Sequence, residues 1–160
     1  MKVIKPNSTD QAFPYNSTAI FLAGSIEMRS AENWQLKMEN IFEKDEVVLF
    51  NPRRDNWDSG WFQEEKNDHF NHQVNWELNH LEKANVIFMY FSPETQSPIS
   101  LLELGRYAGR KQMVVCCPDG FWRKGNVEIL CTREDVILFN DLEAATGALK
   151  TLINKYERTY

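Results

Sequence analysis

A lone acid stands in the run Ser97-Pro98-Ile99-Ser100-Leu101-Leu102-Glu103-Leu104-Gly105-Arg106-Tyr107-Ala108-Gly109-Arg110-Lys111, which reads as an apolar helix following directly on an apolar strand. In an open α/β sheet that junction is where ligands bind, so Glu103 is the first residue to suspect of chemistry. A carboxylate there can attack an electrophilic carbon or exchange a proton with a bound ligand. A structural reading competes, because Ser100 and Glu103 fit the S-x-x-E capping box, in which the acid only reaches back to a backbone N–H. Ser97-Pro98 offers an earlier start, with proline at the first helical position. The preceding Asn85-Val86-Ile87-Phe88-Met89-Tyr90-Phe91 is apolar enough for a central strand. On that reading Glu103 sits one turn inside the helix, over the strand ends.

The rest of the chain supplies the scaffold. Residues 1–17 carry Pro6, Pro14, Asn and Ser without periodicity and read as an irregular arm, free to pack on the domain or on a neighbour. Thr18 to Ala23 forms a first strand, closed by a Gly24-Ser25 turn. A helix opens near Ser30 and runs through Phe42, with Trp34, Leu36, Met38, Ile41 and Phe42 available to its buried face. Glu46 to Phe50 is the second strand. A polar loop from Asn51 to about Trp61 leads to a helix ending at Lys83, whose Val74, Leu78 and Leu81 share a face. After the third strand (85–91) come a helix over 98–110, a strand from Gln112 to Cys117, a short helix over 126–131, a strand from Asp135 to Phe139 and a final helix over 141–156 with its cap in Asn140-Asp141. Five repeats of strand and helix with near-continuous apolar strands predict one domain over 18–160: a flavodoxin-like, Rossmann-like five-stranded parallel sheet, order 2-1-3-4-5, with helices on both faces. The crevice then lies among the loops after strands 1 to 4.

Composition narrows the partners. The 160 residues carry a net charge of −5, which opposes binding to a nucleic-acid polymer and favours small ligands. The basic residues at Arg53-Arg54 and from Arg106 to Lys111 read as a solvated face or a small anion site. No long apolar run or signal-peptide core is present, so a soluble, cytoplasmic protein without membrane contact is expected. Cys116, Cys117 and Cys131 read as reduced core thiols, and the Asn7 and Asn16 sequons as polar loop. His69, His72 and His80 complete no zinc pattern. No dinucleotide fingerprint, P-loop lysine or G-x-S-x-G elbow occurs, so no cofactor is expected.

Several segments in order carry a family resemblance: Phe21-Leu22-Ala23-Gly24-Ser25-Ile26, Asn51-Pro52-Arg53-Arg54, Trp76-Glu77-Leu78, Leu102-Glu103-Leu104-Gly105-Arg106 and Gly125-Asn126-Val127. This set, spanning roughly residues 18 to 130, resembles the nucleoside 2-deoxyribosyltransferases and the related deoxynucleoside monophosphate N-glycosidases. The resemblance implies an enzyme of nucleoside salvage that cleaves the N-glycosidic bond of a (deoxy)nucleoside through a covalent glycosyl-enzyme on Glu103. The sugar then passes to another free base or, in the hydrolases, to water. It implies Glu77 as the second catalytic acid, at a position where the related glycosidases carry an aspartate one methylene shorter; an exposed helix acid is the plain alternative.

Other roles follow from the same resemblance. Gly24, Ser25 and Ile26 match a phosphate-binding turn, although Glu27 stands where that family places an arginine. A carboxylate there favours an unphosphorylated nucleoside unless Arg29, Arg53 or Arg54 compensates. Asn126 matches an asparagine offered to the neighbouring subunit's sugar, which implies a homo-oligomer with a shared site; alternatively it caps the helix after Gly125. Ser97 joins the substrate-binding set. Asn51, Arg53, Arg54 and Trp57, with Trp61, are suited to holding a base by its edges and face, or else the loop packs its tryptophans on the surface. From a different class, a non-catalytic binder of a nucleotide derivative would use the same crevice, and the longer Glu77 and unusual Glu27 keep it in view. Purine or pyrimidine preference is not legible.

Overall fold

The computed structural model describes residues 1–14, 16–26, 32–54 and 62–157; the expectations placed on Glu27, Arg29, Ser30, Trp57 and Trp61 lie outside the described residues. The strands are β1 (Lys2–Ile4), β2 (Thr18–Gly24), β3 (Val47–Phe50), β4 (Val86–Tyr90), β5 (Gln112–Cys116) and β6 (Ile137–Phe139). The helices are α1 (Trp34–Ile41), α2 (Asp68–Lys83), α3 (Pro98–Tyr107), α4 (Lys124–Arg133) and α5 (Leu142–Glu157). Every strand pairing is parallel, in the order β1-β3-β2-β4-β5-β6.

The expected sheet of five strands in order 2-1-3-4-5 is therefore corrected to six. The added strand, β1, comes from the segment read as an irregular arm. Three residues are too few to show a period, yet Lys2, Val3 and Ile4 align with Val48, Leu49 and Phe50, and Ile4 is fully buried. The arm is fastened to its own domain. Phe13 stands edge-on to Phe50 at 5.3 Å between ring centroids, and Trp76 Nε1 donates to Gln11 Oε1 at 3.1 Å.

Alternation along the strands divides the core in two. Phe21, Val48, Phe50, Ile87, Met89, Met113 and Val115 face α2, α3 and α4 through Trp76, Leu81, Leu104, Tyr107, Val127 and Cys131. Ile20, Leu22, Leu49, Val86, Phe88 and Val114 face α1 and α5 through Trp34, Met38, Leu149 and Ile153. Right-handed crossovers set α1 on one face and α2, α3 and α4 on the other, because the chain steps one way from β2 to β3 and the other way from β3 onward. Cys116 joins the second cluster and Cys117 and Cys131 the first; all three are buried free thiols, and burial pushes them up to about 12, 12 and 11.

Two helix faces differ from expectation. In α1, capped by Asn33 Oδ1 accepting from Leu36 N, Trp34 and Met38 are buried while Leu36 is 50% exposed and Ile41 exposed. In α2 the buried residues are Gln73, Trp76, His80 and Leu81, whereas Leu78 is exposed and Val74 only half-buried. The polar Gln73 and His80 take the inward positions because they have partners there. His80 stacks on Trp76 at 4.0 Å between ring centroids, and Gln73 Nε2 donates to the Pro52 carbonyl at 3.0 Å. Asp141 caps α5 through Ala144 N at 2.7 Å, as the sequence suggests.

Candidate active site

The sheet reverses direction at β2, between β3 on one side and β4 on the other, so ligands are expected at the carboxyl ends of these strands. At Gly24, the last residue of β2, φ is +126°, and a Cβ would stand 2.1 Å from the Tyr90 carbonyl oxygen. Only glycine permits that approach, which brings Ser25 N to the Tyr90 carbonyl at 2.9 Å. Ser25 is buried, and its carbonyl accepts from Trp34 Nε1 at 2.9 Å.

Helix α3 settles the first question about Glu103. Its N-cap is Ser97 with Pro98 following, and no acid lies in its first turn. The capping box is thereby removed, since Ser100 is inside the helix rather than at its cap. Glu103 lies in the second turn with 8% of its surface exposed, among the residues α3 buries. Burial pushes its carboxyl up to about 8, and the negative charge of Glu77 adds to the rise. The two acids are thus electrostatic neighbours contributed by adjacent helices. Arg106 and Tyr107 of α3 both reach Glu82 of α2, at 3.2 and 3.1 Å, and pin the two helices side by side. Arg106 has its partner in that staple.

Glu77 is half-buried on α2. Desolvation raises its carboxyl to about 7, against the opposing effects of a hydrogen bond from Gln73 and the positive charge of Arg54. Gln73 Nε2 donates to Glu77 Oε1 at 2.6 Å as well as to Pro52, so the second acid is tied to the carboxyl end of β3. Gln73 was not read as a site residue from sequence. An i, i+4 glutamine and acid on a polar helix carry the signal only once the helix is known to bury that face.

The loop after β3 divides its labour. Asn51 is buried and fully engaged: its N–H donates to the Ile4 carbonyl, its Nδ2 to Glu39 Oε1 at 2.6 Å, and its Oδ1 accepts from Arg53 N at 2.9 Å. It shapes the loop. Among the described residues, the buried Nε and Nη1 donors of Arg53 and the buried Gln73 Oε1 meet no hydrogen-bond partner. Arg54 Nη2 lies 3.3 Å from His72 Nδ1, and burial lowers the Arg54 pKa while the charge of Glu77 opposes that.

Asn126 lies in the first turn of α4, whose N-cap is Arg123, so the helix-cap alternative does not hold. It lines a groove between α3 and α4 with Leu101, Leu104, Arg123, Val127 and Leu130. The geometry therefore brings Glu77, Glu103, Gln73 and Arg54 into one electrostatic neighbourhood, and places Gly24 and Ser25 at the strand reversal beside it. Asn126 lines the α3/α4 groove.

None of the described helices is long and apolar enough to cross a membrane. No curated protein sequence matches the chain. A family model described as nucleoside 2-deoxyribosyltransferase like matches residues 17–121, the stretch from β2 through the loop after β5 that contains both acids. With well over half of its length matched, the chain belongs to the nucleoside 2-deoxyribosyltransferase-like family.

Proposed function

We propose that the protein cleaves the N-glycosidic bond of a (deoxy)nucleoside and transfers the sugar to a second base, with Glu103 as nucleophile and Glu77 as acid and then base. The observation that carries this reading is the pair of acids on α2 and α3, both raised to near or above neutrality. Between those two values the pair holds one proton for two carboxyl groups; in the ligand-free protein Glu103 has the higher value and keeps it, and a double displacement needs it on Glu77. A Glu103 carboxylate oxygen attacks C1′ as the C1′–N bond breaks; the bonding electrons leave with the base, whose nitrogen takes the proton from Glu77. The incoming base gives its proton to the Glu77 carboxylate and attacks C1′ in turn, releasing Glu103 and restoring the original configuration. Substrate bound with its base nitrogen against Glu77 draws the shared proton to that acid and leaves Glu103 charged. Water in place of the acceptor base makes the same pathway a hydrolysis.

The Arg53 donors and Gln73 oxygen that have no partner among the described residues support contacts to the acceptor and donor edges of a base or to an anionic substituent. Gly24, Ser25 and Ile26 would shape the wall beside the sugar, Arg54 would bias Glu77 toward its charged form, and Trp57 would cover the base. We further read α3 and α4 as the seat of a second copy. Ile99 is 61%, Leu102 69%, Trp122 52% and Ile129 73% exposed on or beside these two helices, and Asn126 lies in the groove between them. Light scattering tests this, with a dimer or larger expected at micromolar concentration and a monomer removing the shared site. A cytoplasmic nucleoside or nucleotide pool is the setting this reading implies.

The deciding experiment is incubation with a panel of deoxynucleosides and their 5′-monophosphates, with and without a free acceptor base, followed by chromatography. A new nucleoside formed only with added base supports transfer. Free base released without acceptor supports hydrolysis. Binding with neither product supports the non-catalytic alternative.

A further inference from the structure

The loop between β4 and α3 is closed by three buried hydroxyl groups. Ser25 Oγ lies 2.7 Å from Thr95 Oγ1 and 2.7 Å from Ser97 Oγ, and Thr95 Oγ1 lies 2.8 Å from Ser97 Oγ. Thr95 Oγ1 also reaches the Ser92 carbonyl at 2.9 Å, and Ser92 N donates to Ser25 Oγ at 2.8 Å. The three mutual contacts and the one to the Ser92 carbonyl make four, served by three hydroxyl protons. Such a cluster organises its surroundings.

Ser97 itself explains what is being organised. Its backbone is left-handed, with φ 45° and ψ 51°, in a residue that is not glycine and that precedes a proline. Both circumstances disfavour that conformation, and such strain persists only where surrounding contacts over-determine it. Ser97 is the N-cap of α3 yet makes no side-chain cap bond, so its hydroxyl is turned toward Ser25 and Thr95 instead of toward the helix. The conformation at Ser97 sets the direction in which α3 leaves the loop, and Glu103 is carried on that helix.

We propose that Thr95 is a positioning residue for Glu103. Its hydroxyl, with that of Ser25, holds Ser97 in the left-handed conformation that aims α3, and so fixes the nucleophile carboxylate against Glu77. The inference rests on the role proposed for Glu103, but its test has an arm that does not. Thr95→Val removes the hydroxyl at nearly constant volume, and Thr95→Ser restores it. In the wild-type background Thr95→Val is expected to lower kcat at least tenfold with KM changed less than threefold, and Thr95→Ser to recover most of the loss. In a Ser97→Gly background, where the backbone takes φ near 45° freely, the same Thr95→Val change is expected to lower kcat less than threefold. A comparison that needs no Thr95 variant pairs Ser97→Ala with Ser97→Gly. Both lose the hydroxyl, and the alanine variant is expected to show the lower kcat and the lower Tm. Titration of Glu103 by carbon-13 NMR in the ligand-free protein gives the arm independent of turnover, with Thr95→Val moving the Glu103 midpoint and Thr95→Ser leaving it in place. Equal Thr95→Val losses in both backgrounds, equal behaviour of Ser97→Ala and Ser97→Gly, or an unmoved Glu103 titration overturns the proposal. Absence of any glycosidic turnover in the wild type overturns the proposed function and leaves the titration to decide the positioning role.

Discussion

The two faces of the sheet are packed with the same apolar side chains and differ in what else they bury. Under α1 and α5 the buried polar helix residues are Gln35 and Thr146, which are neutral at every ordinary pH. On the other face α2 and α3 carry His80 and Glu103 buried and Glu77 half-buried, three groups that titrate. Desolvating an acid costs stability unless it is neutral or paired, so a face that keeps two neighbouring acids is spending stability on something other than the fold.

The sharpest way to break that contrast is Glu103→Gln, which keeps size and most hydrogen bonding but removes the attacking charge. Turnover should fall at least about a hundredfold while ligand binding, followed by calorimetry, survives. An active variant would end the proposed mechanism. Leu149→Ala on the other face should do the reverse. Leu149 is fully buried on α5, so truncation should cost about 2–5 kcal/mol in a denaturant titration and leave kcat per folded molecule unchanged.

The pH dependence of stability sharpens the comparison further. Native Glu77 and Glu103 hold their protons up to about 7 and 8, against an ordinary 4.5, so between those limits the folded state binds more protons than the unfolded one. The stabilisation they contribute is complete below about pH 4.5 and is lost as pH rises through 7 and 8. Glu103→Gln should therefore gain Tm relative to wild type on going from pH 5 to pH 8.5, whereas Leu149→Ala should track the wild-type slope. The smallest effect belongs to the rim. Arg106→Ala breaks an ion pair whose two side chains are both about half exposed, and should leave Tm nearly unchanged, with any difference masked by salt.

Legibility followed burial. The apolar strands announced a parallel sheet because both of their faces are covered, and the strand-to-helix junction at Ser97-Pro98 announced Glu103 because Pro98 fixes where the helix begins. β1 escaped because its three residues lie at an edge, where pairing with β3 supplies the order that local pattern does not. Gln73 and Thr95 escaped for a related reason. Each is an uncharged polar residue whose importance arises from partners distant in sequence, Pro52 for one and Ser25 for the other. The inward face of α2 was misjudged because apolar periodicity marks Val74 and Leu78, while a site helix turns its hydrogen-bonding residues inward.

The three thiols turn the molecule into its own opening gauge. Cys116, Cys117 and Cys131 lie on both sides of the sheet and hold their protons firmly, so a thiol-specific dye meets neither an accessible sulfur nor a thiolate in the closed fold. Dye uptake then counts excursions in which β5 or α4 leaves the core. The rate at which colour develops, in the wild type and in any variant above, reads how often the chain opens without a probe having been introduced.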